Sequence, residues 1–401
     1  MTVRPLNPVF AAQGTTIFTV MSALAAEHGA INLGQGFPDE DGPPAIRERA
    51  ARALMEGPNQ YPPMRGLIDL RRAVAAHSKR FYGLAFDPET EVLVTSGATE
   101  ALAACVLGLV GPGDEAIVIE PAYDSYRPML EAAGASVKAV RLEPPGWKLD
   151  AAALEAAFTS RTKLAMINTP LNPAGRVFDR MELEVLAALL ERHDAFAICD
   201  EVYEHLVFDD RAHVPLIALP GMHARCVRIG SAGKIFSLTG WKVGWVEGPA
   251  RLVDTIAKAH QFLTFTTPPG LQLGVAYGLE NEIDFSLGLA AALQANRDLL
   301  SGALQRLGFE MLPCEGTYFL TASIRNVSNE PDRAFCERLA REAGVAAIPL
   351  SPFFAENAPT HLIRFAFCKK RALIEEAVKR LESYFSATGT ATAKARSPLP
   401  A

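Results

Sequence analysis

From about residue 90 onward, short β-branched runs alternate with longer segments of helical periodicity, and no other feature limits the fold as much. Val92 to Thr95, Ala116 to Glu120, Leu164 to Asn168, Phe196 to Cys199 and Val227 to Ile229 read as strands. Thr99 to Val110, Ser125 to Ala133 and Arg180 to His193 read as the helices between them. Strands joined through helices are linked by crossovers, so the sheet is expected to be mostly parallel and covered on both faces. This places a large α/β domain over residues 41–285. Beyond it the pattern changes to a helix at Leu287 to Leu307, Thr317 to Ala322 as a strand, a helix at Asp332 to Ala343, a strand at Leu362 to Ala366 and a last helix at Arg371 to Phe385. Few strands among long helices indicate a smaller α+β domain over 286–385. Residues 1–40 read as an N-terminal arm and part of that smaller domain, with the first ten extended. Residues 386–401, mostly Ala, Thr, Ser and Pro, read as a disordered tail.

Two domains fit 401 residues. A formal charge of −6 argues against a nucleic-acid partner held by a basic face. No apolar run approaches the ~18–20 residues that cross a bilayer, and Met1 to Phe10 lacks a signal-peptide core. The six cysteines are widely spaced without a Cys-x-x-Cys pair, which suggests buried thiols in a reducing cytoplasm. No disulfide framework or metal site is expected.

Open parallel sheets bind ligands beyond the carboxyl ends of their strands, so the residues following each strand carry the functional signal. After Thr95 comes Ser96-Gly97-Ala98-Thr99-Glu100, either an ordinary turn or a phosphate cradle at a helix N-terminus. After Asn168 comes Thr169-Pro170-Leu171-Asn172-Pro173, in which Asn172 either closes an Asx turn or donates to a ligand oxygen. Asp200, at the end of a buried strand, needs an Arg, a metal or a cationic ligand nitrogen as partner. Lys234, in Ser231-Ala232-Gly233-Lys234, is either a surface charge or a desolvated nucleophile. A phosphate cradle, an amide, a buried carboxylate and an amine along one sheet edge match the phosphate, ring oxygen, ring nitrogen and aldehyde of pyridoxal 5′-phosphate.

In order along residues 5–385, Asn32 to Asp39, Asn59-Gln60-Tyr61, Gly97 to Glu100, Asn172 to Gly175, Asp200 to Tyr203, Ser231 to Lys234, Thr239 to Trp245 and Ile363-Arg364-Phe365 resemble a fold-type I, class I/II aminotransferase. The likeness is to the branch holding kynurenine, glutamine, methionine and aromatic aminotransferases. It implies an aspartate aminotransferase-like fold with a mostly parallel seven-stranded sheet, and amino transfer between an L-α-amino acid and a 2-oxo acid by a ping-pong mechanism. By the same resemblance, Lys234 forms the Schiff base with pyridoxal phosphate and moves the substrate Cα proton. Asp200 pairs with the ring nitrogen, Tyr203 and Asn172 bind the ring oxygen, and Tyr123 stacks on the ring. Gly97, Ala98, Thr99, Ser231 and Lys242 hold the phosphate. Tyr61 reaches the phosphate of a neighbouring subunit, implying a homodimer with active sites at its interface. Arg364 clasps the substrate carboxylate, and Gly36 allows close approach of the backbone. Phe18, Tyr61, Tyr123 and Phe353, with Phe265 of a neighbour, wall an apolar side-chain pocket, which favours methionine, glutamine or aromatic donors over aspartate. Phe18 departs from the Trp of the kynurenine enzymes, which leaves side-chain preference open. A β-lyase acting on cysteine conjugates shares every cofactor residue and is the alternative.

Overall fold

The computed structural model describes residues 4–388. Seven strands make the main sheet: β1 (Val92–Thr95), β2 (Glu115–Glu120), β3 (Ser136–Arg141), β4 (Thr162–Asn168), β5 (Phe196–Asp200), β6 (Cys226–Ser231) and β7 (Gly244–Glu247). Their spatial order is β1-β7-β6-β5-β4-β2-β3. Only β7 runs antiparallel to its neighbours; the link from β6 is too short for a helical crossover. Every residue of β1, β2, β5 (after Phe196), β6 and β7 is buried, as a sheet covered on both faces requires.

Two strands of this sheet, and the two-residue strands outside it, were not legible in the periodicity. Edge strand β3, Ser-Val-Lys-Ala-Val-Arg, is half-exposed and mixes polar with apolar residues. β7 spans four residues and includes Gly244 and Glu247. The helix after β1 starts at Gly97 rather than Thr99. The helix from Asp332 is α-helical only to Arg338 and continues as a π-turn to Ala343. Helices at Ile17–Glu27, Pro44–Glu56 and Ile68–Tyr82 precede the sheet. The N-terminal arm is not wholly extended, because Asn7 caps a single helical turn at Pro8–Ala11. The last helix runs to Ala387, two residues into the expected tail; residues 389–401 of that tail lie outside the described residues.

The second sheet holds β8 (Glu310–Met311), β9 (Phe319–Ser323), β10 (Ile348–Pro349) and β11 (Leu362–Ala366), in the order β10-β11-β9-β8 and wholly antiparallel. Ile31–Asn32 pairs in parallel with Val345–Ala346, and the Ala366 amide donates to the Leu33 carbonyl at 2.6 Å. These bonds bring residues 33–36 to β11, and so to Arg364 opposite Thr321. The parallel strands end at one edge of the main sheet, where the site forms.

Candidate active site

A cavity of about 310 Å³ opens beyond the carboxyl ends of β1, β4, β5 and β6. Its lining brings together Phe18, Gly36, Gly97, Ala98, Thr99, Tyr123, Asn172, Asp200, Tyr203, Ser231, Lys234, Lys242 and Arg364. Two expected residues stand elsewhere. Phe353 is buried behind Arg364, its ring 5.2 Å from the guanidinium and edge-on to Phe18. Tyr61, expected to serve a neighbouring subunit, is 84% exposed and touches Phe265.

Lys234 sits in the one-turn helix Ala232–Ile235 that leaves β6. Burial lowers its amine to about 8, against the opposing pull of Cys368 and Asp200. Asp200 ends β5, and its Oδ2 accepts from the Tyr126 hydroxyl at 2.5 Å. Burial raises the Asp200 carboxyl, while Tyr126 and Lys234 favour its charged form. At the other end of the cavity, the helix Gly97–Leu109 begins with no side-chain cap from Ser96. Its first N–H groups therefore lie open beside Ser231 and Lys242. Gly97 has φ +78°, and a Cβ there would come within 3.3 Å of Lys242 Nζ, so any larger residue would crowd this end.

Arg364 lies on β11 with no exposed surface. Its Nη1 donates to Asn172 Oδ1 at 2.8 Å and its Nη2 to the Gly34 carbonyl at 3.1 Å, while Nε has no partner among the described residues. Both acceptors are neutral. Phe319 lies 3.8 Å from the guanidinium carbon. Burial lowers this group to about 10, against the pull of Tyr203 and Tyr318. A buried cation held only by neutral oxygens suits an incoming carboxylate. Because Oδ1 of Asn172 is taken by Arg364, its amide N–H groups are left to the cavity.

Residues 28–381 match the model of the aminotransferase class I and II family. The chain belongs to that family. It is 46% identical over 392 residues to a protein of Mycobacterium tuberculosis named as a probable N-succinyldiaminopimelate aminotransferase, across 95% of this chain and 98% of that one. It is 44% identical over 383 residues to a methionine aminotransferase of Escherichia coli, across 95% of this chain and 99% of the other. A solved structure of Escherichia coli YbdL, described as identifying a methionine aminotransferase function, superposes with a TM-score of 0.92 at 43% identity, covering 95% of this chain and 100% of that one. The protein is thus an aminotransferase that uses pyridoxal 5′-phosphate.

The donor set suits that cofactor. An uncapped helix end with a hydroxyl and an ammonium fits its phosphate, a partly dehydrated amine its aldehyde, and a buried carboxylate at a strand end its ring nitrogen. Several site residues of this aminotransferase escaped the strand-end rule. Tyr126 comes from a helix, Tyr318 from the turn just before β9 and Phe319 from its first residue. Asn168 donates to the Asp200 carbonyl at 2.8 Å and accepts from the Asn172 amide at 2.7 Å, which ties two strand ends together. Only Asn168, as the last residue of a strand, carried any signal. The glycine at 36 is required by packing, since a Cβ would lie 2.5 Å from the Phe319 ring.

Below the cavity floor, Arg228 of β6 is fully buried. Its guanidinium donates to Glu201 at 2.9 Å, to Glu204 at 2.6 Å, and to Glu247 and Ser78 at 2.8 Å each. Glu201 and Glu204 flank Asp200 and Tyr203, so this cluster anchors the segment that carries them. Burial drives Glu204 upward, but Arg228, His77, His205 and a hydrogen bond from Tyr82 together hold the carboxyl well below its usual range. Burial raises Glu247 to about 7 despite Arg228. Replacing Arg228 with Met leaves three buried carboxylates without their cation. The variant is expected to lose about 3–5 kcal/mol of unfolding free energy in urea and to bind pyridoxal phosphate more weakly. A loss below about 1 kcal/mol would count against the anchoring role.

Proposed function

We propose that this aminotransferase prefers amino donors with uncharged thioether or aromatic side chains, methionine and phenylalanine among them. The observation that carries this reading is a second cavity of about 400 Å³ that shares Phe18 with the first. Phe10, Phe18, Met129 and Phe353 line it, and its only charged residue is Asp124. Apolar walls favour side chains such as methionine's, at about 25 cal/mol per Å² removed from water. A substrate with further carboxylates, as in the name of the Mycobacterium tuberculosis relative, would meet Asp124 and find no cation there. The methionine-type donor of the Escherichia coli relative therefore fits this lining better.

In this reading Gly97, Ala98, Thr99, Ser231 and Lys242 hold the cofactor phosphate, and Tyr123 covers the ring. Asp200 faces the ring nitrogen, and Asn172 and Tyr203 donate to the ring oxygen. When bound, pyridoxal phosphate supplies the electron sink that makes a substrate Cα–H acidic. Arg364 takes the α-carboxylate and fixes that C–H relative to Lys234. The Lys234 amine, low in pKa, removes the Cα proton and returns it at the other end of the transfer. Exclusion of water by Phe18, Phe319 and Phe353 strengthens both charge contacts.

The reading extends to a homodimer. Tyr61 and Phe265 meet edge to face at 5.5 Å on the surface, and Phe262, three residues before Phe265 in the chain, is 84% exposed. Exposed aromatics in contact suit a subunit interface, where Tyr61 would reach a neighbour's phosphate. Six free, buried thiols suit a reducing compartment such as the cytoplasm.

The test is the visible spectrum of the cofactor-loaded protein mixed with one amino acid and no oxo acid. Methionine and phenylalanine are expected to bleach the yellow band at least about tenfold faster than aspartate, a difference of about 1.4 kcal/mol. A faster reaction with aspartate would reject the apolar-pocket assignment.

A further inference from the structure

Two hydrogen bonds join three distant parts of the chain at the catalytic end of the cavity. Lys234 Nζ donates to the Tyr318 hydroxyl oxygen at 2.6 Å, and that hydroxyl donates to the Gly36 carbonyl at 2.6 Å. A carbonyl only accepts, so the single phenolic proton is committed to Gly36. The oxygen therefore offers Lys234 lone pairs alone. Burial raises the phenol well above its ordinary value, so it stays neutral and supplies no counter-charge. The ring cannot swing away. It is almost fully buried, edge-on to Tyr203 at 5.2 Å and to Phe319 at 4.8 Å. Gly36 is equally fixed by the close approach of Phe319. Behind the pair lies a cavity of about 50 Å³, lined in part by Lys234, Tyr318, Asn296 and Cys368. It has room for water, which needs roughly 10–15 Å³ per molecule.

We infer that Tyr318 is a positioning residue for Lys234: it holds the amine whenever the amine is not bound to the cofactor, and by taking one N–H it turns the lone pair toward the substrate cavity. The inference rests on Lys234 as the proton-carrying amine. The amine has three directions besides its bond to Cε. With one of them pinned on Tyr318, the others face open space rather than a random set of neighbours. The same short segment also reaches the substrate clasp, because the Gly34 carbonyl accepts from Arg364.

Tyr318→Phe keeps both ring contacts and removes only the oxygen. In protein freed of cofactor, the pH midpoint for acylation of Lys234, read by mass spectrometry of its peptide, is expected near 8 for the wild type. It should fall by about half a pH unit or more in the variant, since the lost acceptor favoured the ammonium form. In the loaded enzyme kcat should fall about tenfold or more, with KM for methionine within about threefold. An unchanged midpoint overturns the inference whether or not kcat falls, because lost packing would slow turnover without moving the titration. Amino transfer retained by Lys234→Ala would instead remove the underlying reading of Lys234.

Discussion

Lys234→Ala is expected to lower kcat for amino transfer by about 10⁴-fold or more, the upper part of the range for a single acid–base group. It should also abolish the visible band of the cofactor bound through this amine. Two roles fall on one side chain here. The Ala232–Ile235 turn places the amine in the cavity, and burial brings it to about 8, so a substantial neutral fraction exists near physiological pH. Protonation works against it: acylation of the free amine in the unloaded protein should slow as pH drops below about 8. Stopped-flow spectra of the loaded protein with methionine, alongside recovery of activity by added small amines, would measure the effect of Lys234→Ala. A variant within about 100-fold of the wild type would show that another group moves the proton.

Arg364→Met should separate function from stability. The guanidinium is fully buried, is held by two neutral oxygens and leaves Nε without a partner among the described residues. Such a charge costs folding energy unless an anion joins it. Removing it should cut kcat/KM for amino acid and oxo acid alike by about 10²-fold or more, within the 2–5 kcal/mol for truncating a buried charge partner. The melting temperature without substrate should hold or rise, because Met fills the aromatic box of Phe18, Phe319 and Phe353 without a desolvated charge. Substrate analogues bearing a carboxylate should stabilise the wild type and leave the variant unmoved. A variant that unfolds yet keeps its KM would mean that Arg364 serves the core and leaves the substrate to other groups.

Legibility in the sequence followed one geometric rule. Residues at the carboxyl ends of parallel strands fall at one edge wherever the sheet forms. Gly97, Asn172, Asp200, Ser231 and Lys234 could therefore be grouped before any coordinates, and they line one cavity. Arg364 was legible for a different reason: the family resemblance carried by Ile363-Arg364-Phe365. Two-residue strands such as Val345–Ala346 and Ile348–Pro349 are too short to show any periodicity, and the longer strands were found where burial made them apolar. They were missed at the half-exposed edge, Ser136–Arg141, and in the short antiparallel Gly244–Glu247.

What escaped came from segments that join the site through tertiary contact alone. Tyr126 reaches Asp200 from a helix, Tyr318 reaches Lys234 from the turn just before β9, and Arg228 gathers three carboxylates from residues far apart in the chain. Nothing local distinguishes a tyrosine that will meet a carboxylate from one that will fill a core. The sequence by itself determined the layered α/β body, the order of its main strands along the chain and the chemistry gathered at their ends, because periodicity and burial act over neighbouring residues. The tertiary structure alone decided which groups share a proton. A hydrogen bond of 2.6 Å, such as Lys234 to Tyr318, depends on how two sheets and an N-terminal segment close upon one another, and no pattern within any one of them encodes that distance.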